Sequence, residues 1–284
     1  MRTEKKVAIV VAAALMVMGV GMMAVSSVAA RNNFMGLIRT DEYEVKTYDI
    51  TEDFDNIDIG VGVNDIIFQK SEDKNAHFTC AETEKIKYSV EVKSNTLFIK
   101  EKNNKTLVDF MSLNNTPSNV LYLPKDAFKN VTGSLGSGDI TIDGSYSFDE
   151  LSLKVGSGDI YVSDVSCSKA VEAHASSGSV NFTDVTSGGS FNAVTGSGRI
   201  ELSNCEGKDV KLKTGSGRIV LDKCDGDSLV MSTGSGDIRG TLRTGKVFEA
   251  KAGSGDVSVP ASTEGNGTCD VKTGSGDIDI TIEG

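Results

Sequence analysis

From about Val131 onward, apolar residues return at fixed places around a recurring Gly-Ser-Gly tripeptide. Counting from the first residue of each copy, position −5 holds Val131, Leu151, Val171, Phe191, Val210, Leu229, Phe248 and Cys269. Position −3 holds Gly133, Leu153, Ala173, Ala193, Leu212, Met231, Ala250 and Val271. Position +4 holds Ile140, Ile160, Val180, Ile200, Ile219, Ile238, Val257 and Ile278, and position +6 holds Ile142, Val162, Phe182, Leu202, Leu221, Gly240, Val259 and Ile280. Mostly polar residues lie between. Each copy therefore reads as two short strands of period 2, one on each side of the tripeptide. No convincing helical period occurs after residue 30.

The copies start at Gly136, Gly156, Ser176, Gly196, Gly215, Gly234, Gly253 and Gly274, at intervals of 20, 20, 20, 19, 19, 19 and 21 residues. So steady a period identifies one short unit stacked on itself. Parallel coils of about 20 residues place equivalent side chains about 4.8 Å apart, with the apolar columns inward. The expected fold class is all-β, a parallel β-solenoid over 131–284. An irregular β section over 48–130 precedes it, with strand candidates such as Ile66–Phe68, Tyr88–Val92, Leu97–Ile99 and Val120–Leu123.

The third tripeptide residue is glycine in every copy: Gly138, Gly158, Gly178, Gly198, Gly217, Gly236, Gly255 and Gly276. This predicts a left-handed corner, or one too tight for a Cβ. The middle residue is serine throughout, from Ser137 to Ser275, a ladder whose hydroxyls are expected to serve the corner backbone. The last coil, Ile278–Ile282, is expected to expose a free strand edge guarded by Asp277, Asp279 and Glu283.

The amino terminus adds a second signal. Met1–Lys6 is basic, and Val7–Ala30 then runs 24 residues without a charge. That length suffices for a membrane-spanning helix, and the preceding positive charge places that end in the cytoplasm with the bulk outside. The competing reading is a cleaved signal peptide ending near Val28–Ala30, although cleaved apolar regions are usually shorter. Either way the remainder is exported. Residues 1–30 are thus read as a transmembrane anchor or uncleaved signal segment, and 31–47 as a juxtamembrane linker. No lipid-attachment Cys precedes Cys80, and the chain ends without an apolar tail.

Charge narrows the partners. The total is −11, and the first 31 residues carry a net +3, leaving −14 for the rest. Such a surface disfavours nucleic acid and anionic lipid. A membrane contact through Val7–Ala30 and a cell-surface or envelope protein remain as partners. The five cysteines, Cys80, Cys167, Cys205, Cys224 and Cys269, fit no zinc or redox spacing. Cys205 and Cys224 share position +9 with Val165 and Val185, a column that reads as semi-buried, and lie in adjacent coils within disulfide range; free thiols are read ahead of a bridge, because side chains in a ladder often point parallel.

Candidate chemistry is sparse. Position +3 reads Asp139, Asp159, Ser179, Arg199, Arg218, Asp237, Asp256 and Asp277. Stacked carboxylates, best represented by Asp237, Asp256 and Asp277, are weak Ca²⁺ candidates set against a plain turn-capping role. A glycosidase needs two carboxylates beside a bound sugar. This chain has no Trp and no long loop within its repeats to wall a cleft. His77 and His174 are the only histidines and suggest no triad. No catalytic residue and no cofactor are expected. The threonines at −1 (Thr195, Thr214, Thr233 and Thr273) hint at an ice-binding face, but Leu135, Val155, Ala175 and Ala252 interrupt it.

The opening Phe54–Ile59, the strand Asn95–Ile99, the Leu121–Pro124 ending of the first section and the repeated Gly-Ser-Gly-Asp-Ile together resemble the bacterial putative-adhesin family of β-strand-repeat proteins, a family of unknown function. The resemblance covers about 48–284. It implies an exported or membrane-tethered β-solenoid, sometimes tied to envelope-stress signalling, and carries over no catalytic residue. The expected function is a non-enzymatic surface scaffold or adhesin. An accessory role in envelope sensing is the alternative, and a carbohydrate-active enzyme the remote one.

Overall fold

The computed structural model of the chain describes residues 43–103, 117–264 and 266–283. The described residues are all-β, with 20 strands joined in one sheet and no helix long and apolar enough to cross a membrane. Val7–Ala30 lies outside the described residues.

The repeats build a three-sided coil stacked in parallel. Strands β8 (Ala127–Ser137), β9 (Ile140–Ser157), β10 (Ile160–Ser177) and β11 (Val180–Ser197) lie in register. Leu151, Val171 and Phe191 stack on one side, Ile140, Ile160 and Val180 on the second, and Tyr146, Val165 and Val185 on the third. The pattern continues through β12 (Ile200–Ser203), β13 (Glu206–Ser216), β14 (Ile219–Cys224), β15 (Ser228–Ser235) and β16 (Ile238–Leu242). The inward side chains are closed to water, Ile160, Ile200, Ile219 and Ile238 completely. Each contributes about 1.5–3 kcal/mol, and only because its neighbours share the same core.

Two further columns point inward. The third side buries Tyr146, Val165, Val185, Cys205 and Cys224. The −1 column is also buried except at Ala252 on the free edge, threonines included, because each hydroxyl donates to a corner glycine carbonyl: Thr195 to Gly178 (2.7 Å), Thr214 to Gly198 (3.2 Å), Thr233 to Gly217 (3.0 Å) and Thr273 to Gly236 (2.9 Å). A buried threonine column cannot face ice.

The Gly-Ser-Gly corner has two versions. Gly138, Gly158, Gly178, Gly236, Gly255 and Gly276 are left-handed, with φ from 112° to 146°. Gly198 and Gly217 are not, yet a Cβ there would lie 2.0 and 1.8 Å from the carbonyl oxygens of Gly178 and Gly198. Corner N–H groups are met by serine carbonyls of the adjoining coil, as from Gly138 to Ser157 (2.9 Å) and Gly158 to Ser177 (3.1 Å). The backbone thus does what the serine hydroxyls were expected to do. A second corner, at +8, holds Gly144, Asp164, Asp184, Asn204 and Lys223 at positive φ.

Stack order departs from chain order at both ends. Near the amino terminus, β1 (Glu44–Ile50), β2 (Asn56–Val61), β3 (Ile66–Lys70), β4 (Ala76–Glu82), β5 (Ile86–Lys93), β6 (Thr96–Asn103) and β7 (Asn119–Leu123) follow one another. Strands β2 and β3 lie between β8/β9 on one edge and β6/β7 on the other. The section read as irregular therefore supplies solenoid coils, and only β1, β4 and β5 pair antiparallel, β1 on β4, β4 on β7 and β5 on β6. Glu44–Thr47, assigned to the linker, is already strand, held by pairings such as Thr47 with Thr79.

At the other end, β17 (Val247–Ser254), β18 (Val257–Ser258), β19 (Thr268–Ser275) and β20 (Ile278–Ile282) exchange places. The last repeat, β19/β20, is inserted between β15/β16 and β17/β18. The free edge is β17/β18, where Val247 and Val257 are 41% and 45% exposed, and not Ile278–Ile282 as expected. The cause is local. Pro260 cannot donate to a ladder and truncates the seventh repeat, so β18 pairs over two residues where β20 pairs over five. The better-matched coil takes the inner place.

Candidate functional site

Three kinds of corner line the solenoid, and each holds its polar groups differently. At the Gly-Ser-Gly corner the Asp Oδ1 accepts the backbone N–H stacked on it. Asp65 takes Asp139 (2.9 Å), Asp139 takes Asp159 (2.7 Å) and Asp159 takes Ser179 (2.6 Å). The ladder lapses through Ser179, Arg199 and Arg218, which carry no carboxylate. It resumes as Asp237 takes Asp277 (3.1 Å) and Asp277 takes Asp256 (3.1 Å), in exchanged order.

The Ca²⁺ candidates Asp237, Asp256 and Asp277 are thus brought together, with one oxygen of Asp237 and of Asp277 spent on backbone. Asp237 Oδ2 lies between Arg218 (3.3 Å) and Arg239 (3.1 Å). The Asp277 N–H first, and then the two arginines, hold the Asp237 carboxyl below its ordinary pKa. Among the described residues no group of three or more metal-type ligands is gathered.

The third corner forms a groove of about 680 Å³ crossing several coils. Its floor is backbone at Gly188, Gly207 and Gly226, since a Cβ at Gly188 would meet Ser168 O at 2.3 Å and one at Gly226 would meet Gly207 O at 2.6 Å. Its walls carry Glu206, Lys208, Asp225 and Asp227. Lys246 closes the far end and is only 2% exposed. Its Nζ donates to Asp225 Oδ1 (2.5 Å), Thr244 Oγ1 (2.8 Å) and Asn266 O (2.6 Å). Burial works against the Asp225 carboxylate. Lys246, the Gly226 N–H and Thr244 outweigh it and leave its pKa below the ordinary value.

Lys246 sits where the chain skips the slot later filled by the last repeat, a step of roughly 10 Å at ladder spacing. The amino-terminal exchange has a similar pin, where Asp55 receives Lys125 (2.8 Å), Asn95 (3.0 Å) and Lys129 (3.2 Å), which together lower its pKa, Lys125 most.

The remaining candidates lie apart. His77 bridges Asp49 (2.8 Å) and Asp73 (3.0 Å) in the amino-terminal cap, while His174 faces outward and exposed. All five thiols are free and buried. Burial pushes Cys80, Cys167 and Cys269 up to about 12, which makes them poor nucleophiles. The groove escaped sequence reading, although Gly207, Gly226 and Gly245 at +11 were its trace. The arrangement offers hydrogen bonds and alternating charge to a ligand. It brings no nucleophile, base and oxyanion donor together.

The Toastrack DUF4097 family model matches residues 54–191 and 171–284. The chain belongs to the Toastrack DUF4097 family. One solved structure agrees on the fold, and two others align along most of the chain with lower scores. A putative adhesin from Bacteroides fragilis aligns with 17% identity over 84% of this chain and 98% of its own, at TM-score 0.50. A putative adhesin from Parabacteroides distasonis aligns with 14% identity over 86% and 98%, at TM-score 0.47. A putative lipid binding protein from the same species aligns with 12% identity over 85% and 97%, at TM-score 0.28. No curated protein matches the chain.

Proposed function

We propose that this Toastrack chain is a non-enzymatic surface module, a solenoid tethered by Val7–Ala30 outside the cell that presents polar faces to an envelope or cell-surface macromolecule. One observation carries the reading. The coil corners are consumed by stacking, through glycine contacts, aspartate ladders and left-handed bends, so little chain is left to wall a reactive cleft. What remains open is broad, polar and repetitive, with the groove at Glu206–Asp227 as its concave part. The names of the structural relatives fit a binding role.

The test uses intact cells carrying the full chain. Membrane retention, digestion by added protease and binding of the cells to an envelope-coated surface, lost in a Lys208→Glu and Asp227→Lys double variant, support the reading. Release of a shortened chain into the medium would remove the tether. Conversion of a polysaccharide by the pure protein would remove the non-enzymatic role.

A further inference from the structure

We propose that Cys205 and Cys224 form a disulfide site that clamps two adjacent coils. They are the only two of the five cysteines that face each other across neighbouring strands. Register runs from Ser203 opposite Asp222 to Glu206 opposite Asp225, which sets Cys205 opposite Cys224. The backbone confirms it, because the Asp225 N–H donates to Cys205 O (3.0 Å) and the Asn204 N–H to Asp222 O (2.8 Å). Ladder spacing of about 4.8 Å lies inside the Cα range of disulfides, roughly 4.4–6.8 Å.

The two cysteines also share an approach. Each follows a left-handed residue, Asn204 and Lys223, both at φ 53°, so the two Cβ atoms leave the chain in the same way. The Cys224 thiol leans toward the coil of Cys205, donating to Leu202 O (3.3 Å). The Cys205 thiol leans one coil further, donating to Phe182 O (3.5 Å). The two thiols already interact with each other side chain to side chain, so closing the bond asks for a rotamer adjustment and no backbone shift. The other cysteines have no such neighbour, since Cys167 lies between Phe148 and Ser187, and Cys269 between Leu229 and Phe248.

The chemistry is thiol–disulfide exchange with a small-molecule or protein disulfide. One thiolate attacks the oxidant, releasing a thiol and forming a mixed disulfide. The second thiolate then displaces the remaining half. Two thiols are oxidised, their two protons leave, and the two electrons reduce one oxidant disulfide to two thiols. At 1% and 2% exposure the pair reacts while the two coils are docking, before the core closes. An exported location favours oxidation. Oxidation in the cell thus rests on the proposed localisation, whereas the site does not.

The full chain is unfolded, refolded with oxidised and reduced glutathione, alkylated in denaturant without reductant and digested with trypsin. Cleavage sites at Lys208, Lys211, Lys213, Arg218 and Lys223 put the two cysteines on separate peptides. The expected result is one linked peptide pair joining Cys205 to Cys224, with Cys80, Cys167 and Cys269 alkylated. A melting midpoint that falls on adding reductant should accompany it, and Cys224→Ser should abolish that fall. Full alkylation of both cysteines, scrambled links or links between chains overturn the proposal, and the mapping needs no variant to fold. A link formed in refolding but absent from protein taken from cells supports the site and counts against an oxidising exterior.

Discussion

At the amino-terminal end of the stack the outermost strands β6 and β7 are each covered by an antiparallel partner, β5 and β4. At the carboxy-terminal end β17 and β18 pair on one side only. Both ends tuck the chain's extreme coil one place inward, and both pin the exchange with a lysine–aspartate contact. They differ in what covers the core. The covered end buries Phe78 and Tyr88 with ring centroids 5.4 Å apart. It also sinks Glu82 beneath Tyr48 (2.5 Å), Lys87 (3.1 Å) and the Tyr88 N–H (3.1 Å). At the open end, Ser262 accepts the Phe248 N–H (3.0 Å), the Thr263 N–H donates to Lys246 O (2.9 Å), and the edge beyond carries half-exposed alanines. Exchange of coils therefore secures the first and last coils of the solenoid, while capping is a separate device present, among the described residues, at one end.

The largest test compares one substitution in two places. Gly198→Val lies mid-stack, where its Cβ would meet Gly178 O at 2.0 Å with coils fixed on both sides. A loss of about 3 kcal/mol or more is expected. Gly255→Val meets Gly276 O at 2.2 Å from a left-handed corner, but its coil can lift away from the stack. It should cost less and leave the main unfolding transition in place. Equal losses in denaturant melts would mean that the open end is as rigid as the interior.

Lys246→Met comes next. It leaves the Asp225 carboxylate, 16% exposed, without its cation at the exchange. Removing one partner of a buried pair is costly, and about 2 kcal/mol is expected here, with amide exchange rising first in β17–β20. Because Asp225 has a depressed pKa, its contribution is present above the unfolded carboxylate pKa and lost as pH falls through the folded value. The acid melt of the open end should shift toward neutral in Lys246→Met. An unchanged acid transition would mean that the pin carries no weight.

Much of the repeat was legible because its period is nearly invariant and its columns are apolar. Ile140 and Ile278 announce one and the same place in a coil. The −1 column was hidden by threonines, since Thr195 and Thr214 look polar until their hydroxyls find glycine carbonyls. The stack order was hidden for a different reason. Repeats seven and eight carry the same motif, and only Pro260 marks one as the worse partner. The groove depends on corners without side chains and on Lys246, whose burial follows from a chain crossing that no period encodes.

The covered end has its own titratable contact. His77 ties β4 to Asp49 on β1 and to Asp73 in the preceding turn, and these carboxylates, Asp73 first, raise its pKa. The stabilisation is complete below the unfolded histidine pKa and disappears as pH rises through the folded value. The site is partly open to water, so the effect is at most about 1 kcal/mol. Amides of β1 should exchange faster on passing from pH 6 to pH 8, beyond the chemical rate increase, and His77→Gln should remove that excess. The open end should show no such response.

The smallest effect reaches the inserted coil from outside. Lys223 occupies a left-handed corner at φ 53°, where the equivalent coils place Gly144, Asp164, Asp184 and Asn204. Lysine tolerates that conformation poorly, while Asn bonds locally and does not strain. Lys223→Asn should therefore raise the melting midpoint by about 1–3 °C. The same substitution breaks the exposed Lys223–Glu283 pair (3.0 Å), which reaches from an interior coil to the inserted last repeat. Exposed pairs contribute little, so relief of backbone strain should win. Glu283→Gln separates the two terms, since it removes the pair and keeps the strained lysine. A fall in both variants would show that the inserted coil is held from its outer face as well as by its place in the stack.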